Sequence, residues 1–203
     1  MIIDGDYDEI RSIWRETFSP SVNLRELSFA RDVVKMRDTL LHLLSQHQVP
    51  LMQRVIEVGP LFDPLSPALI QMGYPISHVH LSDPIYQVHG EPDVINGAET
   101  TYDAEGLPNS YMHLKQILIG GATLVLENVV NYLDFVDIEG LLTGLPVPAT
   151  VIVSNDFKGA LNKLHRNRMK TGHKFLQGMH GIGARELFVP YQNVSELIAV
   201  FEV

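Results

Sequence analysis

The chain reads as an α/β domain built on a mainly parallel sheet, with a helical extension before it. Two observations carry this reading. From Arg54 onward, short apolar runs alternate with longer helical or polar segments, as strands alternate with crossover helices. Successive apolar runs end on acids or amides: Glu57, Asp83, Asp103, Glu127-Asn128 and Asn155. Polar groups at the ends of consecutive strands suit a polar ligand lying across one edge of the sheet.

Residues 1–50 are the expected helical extension, and residues 51–203 the α/β domain. Ile10, Ile13, Trp14 and Phe18 recur at helical spacing and give one apolar face. Ser19-Pro20 breaks that helix. Asn23 and Glu26 form a capping box for a second helix, whose apolar positions include Leu24, Leu27, Val34, Leu41 and Leu44 and which stops at Pro50. Seven strands follow: Arg54–Val58, Ile76–Leu81, Thr100–Tyr102, Ala122–Leu126, Ala149–Ser154, Arg185–Val189 and Leu197–Val203. Helices are expected at Pro64–Met72, Ser110–Ile119, Tyr132–Leu142 and Phe157–Lys170. Pro84, Gly90, Pro92 and Gly97 leave only a short or irregular crossover between Pro84 and Ala98. No long helix separates the last two strands. They should form an antiparallel edge, with Leu197–Val203 reversed against its neighbours.

Composition narrows the function classes. A chain of 203 residues with 45% hydrophobic content can bury a sizeable core. It has no cysteine, which excludes disulfides, thiolate catalysis and cysteine-based zinc sites. No apolar run approaches a membrane span, and no basic region precedes an apolar one at the start, so a cytoplasmic location is the expectation. The net charge of −9, from 15 basic and 24 acidic residues, argues against nucleic-acid binding. A small-molecule substrate is the expected partner, and a homo-oligomer is compatible with the composition. The basic residues are unevenly spread. Lys163, Arg166, Arg168, Lys170 and Lys174 lie in one acid-free stretch, which leaves 10 basic residues against 24 acidic ones elsewhere, a balance of −14. Such a stretch is either a solvated helix face or a surface turned to an anionic substrate.

Four motifs, taken in order, resemble those of the class I S-adenosylmethionine-dependent methyltransferases over about residues 54–203. Val55-Ile56-Glu57-Val58-Gly59 is similar to the first motif, and Val79-His80-Leu81-Ser82-Asp83 to the second strand with its terminal acid. Tyr102-Asp103-Ala104-Glu105-Gly106-Leu107-Pro108 resembles the third motif. Leu124-Val125-Leu126-Glu127-Asn128 resembles the fourth strand. The first three acids are separated by 26 and 20 residues, which suits one strand-helix-strand step each. The resemblance implies a Rossmann-like sheet and S-adenosylmethionine as cofactor. It implies that Glu57 helps orient the amino-acid portion of the cofactor and that Gly59, with Pro60 after it, lets the backbone pass close beneath. Asp83 would accept the ribose hydroxyls. Asp103 would sit near the adenine amino group with Ala104 beside it, and Glu127 and Asn128 would line the mouth where cofactor and substrate meet. The glycine loop departs from the family pattern. Further glycines usually follow the first, but here the run is Gly59-Pro60-Leu61-Phe62-Asp63-Pro64.

Other chemistry leaves fainter marks. His78 and His80 share one strand face with Asp83 and His89 nearby, but same-face histidines more often find hydrogen-bond partners, and no metal is expected. The chain has no Gly-x-Ser-x-Gly elbow, no phosphate-binding Gly-x-x-x-x-Gly-Lys loop and no His-Glu-x-x-His pair. His165, His173 and His180 fall between the fifth and sixth expected strands. His165 and His173 are the candidates for deprotonating a methyl acceptor, against the simpler reading of exposed surface histidines. The favoured function is methyl transfer to a small molecule. Two alternatives stand beside it: a methyltransferase-like protein that binds a ligand or partner without catalysis, and a nicotinamide-dependent oxidoreductase. The missing Gly-x-Gly-x-x-Gly weighs against the last.

Overall fold

Arg54–Val58 forms the first strand, β1, and every residue after Arg54 in it is buried. A strand covered on both faces needs an apolar run rather than an alternating one, which is what Val55-Ile56 and Val58 supply. The computed structural model describes residues 21, 28–60, 64–83, 94–95, 98–100, 111–130, 135–156, 172–192 and 196–203. The remaining strands are β2 (His78–Ser82), β3 (Val94–Ile95), β4 (Ala98–Thr100), β5 (Thr123–Glu127), β6 (Thr150–Asp156), β7 (Arg185–Gln192) and β8 (Glu196–Glu202). The helices are α1 (Ser28–His47), α2 (Ser66–Gln71), α3 (Tyr111–Ile119), α4 (Phe135–Leu142) and α5 (Gly172–Gly181).

The strands join in one sheet in the order β3-β4-β2-β1-β5-β6-β8-β7. The β4-β2-β1-β5-β6 block is parallel throughout. As expected, β8 runs antiparallel to both β6 and β7. The strand count differs: eight among the described residues instead of seven. The extra one is Val94–Ile95, which pairs antiparallel with Ala98–Thr100, and the third expected strand starts at Ala98 instead of Thr100. Asn96-Gly97, the dipeptide between the two, is a strong hairpin signal that the glycine count in this stretch obscured.

Each central strand sends alternate residues to two separate layers. Ile56, Leu124, Leu126, Val151 and Val153 pack with Leu114 and Leu118 of α3, Ile138 and Leu141 of α4, and Phe175 and Met179 of α5. Val55, Val125, Ile152, Ile198 and Val200 pack with Met36, Leu40 and Leu44 of α1 and with Leu65 and Leu69 around α2. Helix α1 therefore shares the core of the sheet. Its first-layer position follows from Met36, Leu40 and Leu44, which fall four residues apart on one face. The expected helices over residues 10–18 and 157–170 lie outside the described residues. On the other layer, Lys115 Nζ of α3 donates to the carbonyls of Gly140 and Leu141 at 2.8 and 3.0 Å and to that of Thr143, closing the C-terminus of α4.

Helix α5 has no counterpart in the sequence reading. Gly172 and Gly178 weaken its helical signal, since glycine disfavours a helix interior by about 1 kcal/mol relative to alanine. Packing explains both. A Cβ on Gly172 would lie 3.1 Å from Cβ of Leu197, and one on Gly178 would lie 2.4 Å from the Phe135 ring. Phe135 in turn meets Phe175 edge-on at 6.1 Å. Gly178→Ala should therefore lower stability by about 1–2 kcal/mol, the cost of overpacking exceeding the propensity gain. Urea denaturation checks this, and a more stable variant would show that the Phe135 contact does not hold the helix.

Candidate functional site

The site is built by register. Val58 pairs with Ser82 on β2 and with Leu126 on β5, and Leu126 pairs with Val153 on β6. One residue further, Gly59, Asp83, Glu127 and Ser154 stand at one level on the carboxyl edge. Two bonds extend the ladder past the strand ends. Gly59 N–H donates to the Ser82 carbonyl at 2.9 Å, and Asn128 N–H to the Ser154 carbonyl at 2.8 Å. The chain runs from β1 outward through β2 and β4, then returns to β5 on the other side of β1. The order in which strands are added thus reverses between β1 and β5, where ligands of open α/β sheets bind. Two carboxyl groups sit there almost wholly buried, Asp83 at 1% exposure and Glu127 at 4%.

Glu57 serves the fold directly. Its Oε1 accepts the Ser66 backbone N–H at 2.8 Å and its Oε2 the Ser66 hydroxyl at 2.6 Å. Ser66 opens α2, so the strand acid satisfies a helix-start donor that no side chain of the N-cap, Leu65, can reach. Both carboxylate oxygens of Glu57 are thus engaged at the start of α2. Burial pushes its carboxyl up to about 7, outweighing the hydrogen bonds from Ser66 and Leu65 and the charge of Arg37, which lower it.

Gly59 has φ +78°, and a Cβ there would come within 2.3 Å of both the Glu127 carbonyl and Val129 Cγ1. The glycine is required by the tip of β5 itself. Pro60, next in the chain, is buried. Asn128 also has positive φ, +56°, and its Oδ1 accepts the Asp156 N–H at 2.8 Å, clamping the tips of β5 and β6 together. Asparagine tolerates this backbone region better than most residues.

The other expected site residues divide. His173 is exposed in the first turn of α5, next to Gly172, which packs on Leu197 opposite the end of β6. His165, Asp103 and Ala104 lie outside the described residues. His180, at the far end of α5, pairs with Glu186 at 3.2 Å. His78 is exposed and His80 half-buried, and the described residues contain no group of three or more histidine and acidic side chains placed to hold a metal. Sequence reasoning missed Ser66 and the Asn128 clamp. Ser66-Pro67 was a legible signal, because proline favours the first turn of a helix and marks where a capping partner is needed.

No family model matches the chain, and no curated protein is similar to it in sequence. Solved structures do resemble it. A magnesium protoporphyrin IX methyltransferase from Synechocystis PCC 6803, crystallised with S-adenosylmethionine, matches with a TM-score of 0.60 at 15% identity, over 97% of this chain and 96% of that one. The fold is that of the class I S-adenosylmethionine-dependent methyltransferases. The methyltransferase domain of a bacterial Hen1 matches at 0.51 and 15% identity, over 84% of this chain and all of that one. A methyltransferase from Aquifex aeolicus matches at 0.51 and 11% identity, over 92% and 100%. Among the described residues no helix is long and apolar enough to cross a membrane.

Two consequences follow from the geometry. Gly59→Ala should cost more than about 2 kcal/mol without any ligand, combining the left-handed backbone penalty with a clash against the Glu127 carbonyl. An alanine variant that unfolds at the wild-type urea concentration would contradict the packing. Glu57 binds a proton more tightly folded than unfolded, since its folded value of about 7 lies above the ordinary 4.5. Its contribution to stability is therefore complete below about pH 4.5 and is lost as pH rises through about 7. That loss is on the order of 3 kcal/mol. Glu57→Gln keeps one acceptor for the Ser66 N–H and cannot ionise, so its stability should fall less between about pH 5 and pH 8. Parallel wild-type and variant profiles, measured by denaturation across that range, would count against the burial of an ionisable group here.

Proposed function

We propose that the chain binds S-adenosylmethionine at the carboxyl edge and transfers its methyl group to a small-molecule acceptor. The observation that carries this reading is the pair of buried acids, Asp83 and Glu127, flanking Gly59 where the strand order reverses. Buried carboxyl groups cluster at functional sites, and these two stand at the edge where open α/β sheets take their ligands. The donor set fits the cofactor. An acid at the end of β2 suits ribose hydroxyls, and the glycine at positive φ lets the tips of β1 and β5 approach closely beside it. When bound, the cofactor supplies a methyl group already activated by its sulfonium.

The chain's own work is then alignment. Asp83 accepts two hydroxyl hydrogen bonds and sets the cofactor along the edge. Glu127 and Asn128, rigidly held by β6, line the point of transfer. These residues would hold an acceptor oxygen or nitrogen in line with the methyl group the cofactor would supply, and a nearby base would take the acceptor's proton. His173, exposed beside the end of β6, is the described candidate for that base, with His165 the other.

The alternative of a binding protein without catalysis draws on one specific observation: Glu57 and Gly59 are both fully engaged by the protein itself. Calorimetry separates the readings. Wild-type protein should bind S-adenosylmethionine and S-adenosylhomocysteine with micromolar or tighter dissociation constants. Asp83→Ala should weaken both by roughly 10- to 100-fold, the value of a charge-assisted bond, while the exposed Glu139→Ala leaves them unchanged. Wild-type protein that binds neither compound would remove the methyltransferase reading, and binding of a nicotinamide cofactor in their place would substitute the oxidoreductase.

A further inference from the structure

Ser82, the last residue of β2, is 1% exposed, and its Oγ has no hydrogen-bond partner among the described residues. This is unusual. Buried hydroxyls nearly always have a partner, and one left without it lowers stability. The residue is otherwise well anchored. Its carbonyl accepts the Gly59 N–H at 2.9 Å, and its Cα stands opposite that of Val58, one residue before the level of Asp83, Gly59 and Glu127. A parallel strand interior elsewhere in this sheet is filled with valine, isoleucine or leucine at the equivalent level: Val58, Leu126 and Val153. Of these four neighbouring parallel strands, only β2 carries a hydroxyl there. A side chain of that kind, adding no apolar area and making no bond within the fold, is explained by a polar atom that arrives with a ligand.

We infer that Ser82 is a binding residue for the nucleoside half of the ligand, acting beside Asp83 through its side-chain hydroxyl. The inference rests on the cofactor reading above. The two neighbours have complementary chemistry. The Asp83 carboxylate only accepts hydrogen bonds, whereas the Ser82 hydroxyl donates one and accepts another. Together they suit a nucleoside, which offers hydroxyl donors and ring or ether acceptors within a few ångströms. They suit a simple anion or an apolar molecule poorly.

The test is Ser82→Ala, read twice on the intact chain. In the absence of ligand the variant should be as stable as wild type or melt about 2 °C higher or more, because an unpartnered hydroxyl has been removed from the interior. S-adenosylhomocysteine should bind it about 3- to 10-fold more weakly by calorimetry. 5′-Methylthioadenosine, which lacks the amino-acid half, should lose affinity by a similar factor. A lower melting temperature would overturn the inference, because the hydroxyl would then have a partner within the fold. Unchanged affinity for both compounds would overturn it too, as would weakening confined to S-adenosylhomocysteine, which would place the contact on the amino-acid half. Wild-type protein that binds neither compound removes the cofactor reading itself, and this inference with it. That result is distinct from a wild type that binds and a variant that binds equally well.

Discussion

The bond between Glu57 and Ser66 sets the geometry on which the carboxyl edge depends. A wholly buried carboxyl at the end of a central strand is tolerable only if both its oxygens find donors. The nearest suitable donors are the orphan N–H and the hydroxyl at the start of α2. Meeting that demand fixes where α2 begins. It also brings Leu65 and Leu69 onto Val55 and Val125, in the same layer as α1. One polar contact thus couples the end of β1, a helix and a face of the sheet. Because the group titrates near neutrality, the coupling is sensitive to pH in a range that proteins meet.

The acids at the carboxyl edge look alike along the chain, yet their surroundings give them different work. Glu57 is turned inward and satisfied by the fold. Asp83 and Glu127 stand one level further out, on either side of Gly59. Asn128 spends its carbonyl oxygen on Asp156 and holds β5 to β6. The edge therefore has a rigid frame, made by Glu57, Gly59 and Asn128, around Asp83 and Glu127, the acids we propose meet the ligand. A frame of this kind reduces the ordering that binding must accomplish.

The fold was legible because its signal is distributed. Continuous apolar runs at Val55-Ile56, Leu124–Leu126 and Val151–Val153 can only be strands covered on both faces, and seven or so such runs outvote any single error. The reversed β8 followed from the short span before it. What stayed hidden depends on tertiary contact. Helix α5 carries two glycines that read as breaks until Phe135 and Leu197 are seen against them. The two-residue strand β3 is too short to leave a pattern. For the site, the strand-end acids were visible, but the engagement of Glu57 by the fold was not, since it depends on Ser66, nine residues away in the chain.

The glycine loop, the chief departure from the family pattern, takes on a different weight once Gly59 is seen in place. A single glycine is demanded at this point, by the Glu127 carbonyl and Val129, which leave no room for a Cβ. That demand arises between β1 and β5, the strands that flank the reversal of strand order, and so belongs to the architecture as much as to any ligand. The later glycines of the family pattern answer no such contact among the described residues. Their replacement by Pro60 and the residues after it leaves the essential constraint untouched. Proline adds some rigidity, because it fixes φ and removes a donor that the β1–β2 ladder, already closed by the Gly59 N–H, does not need. Likeness in fold at about 15% identity is intelligible on these terms. In this chain the fold rests on the layering of apolar strands and the close approach of β1 to β5, and these tolerate wide change in the residues between them.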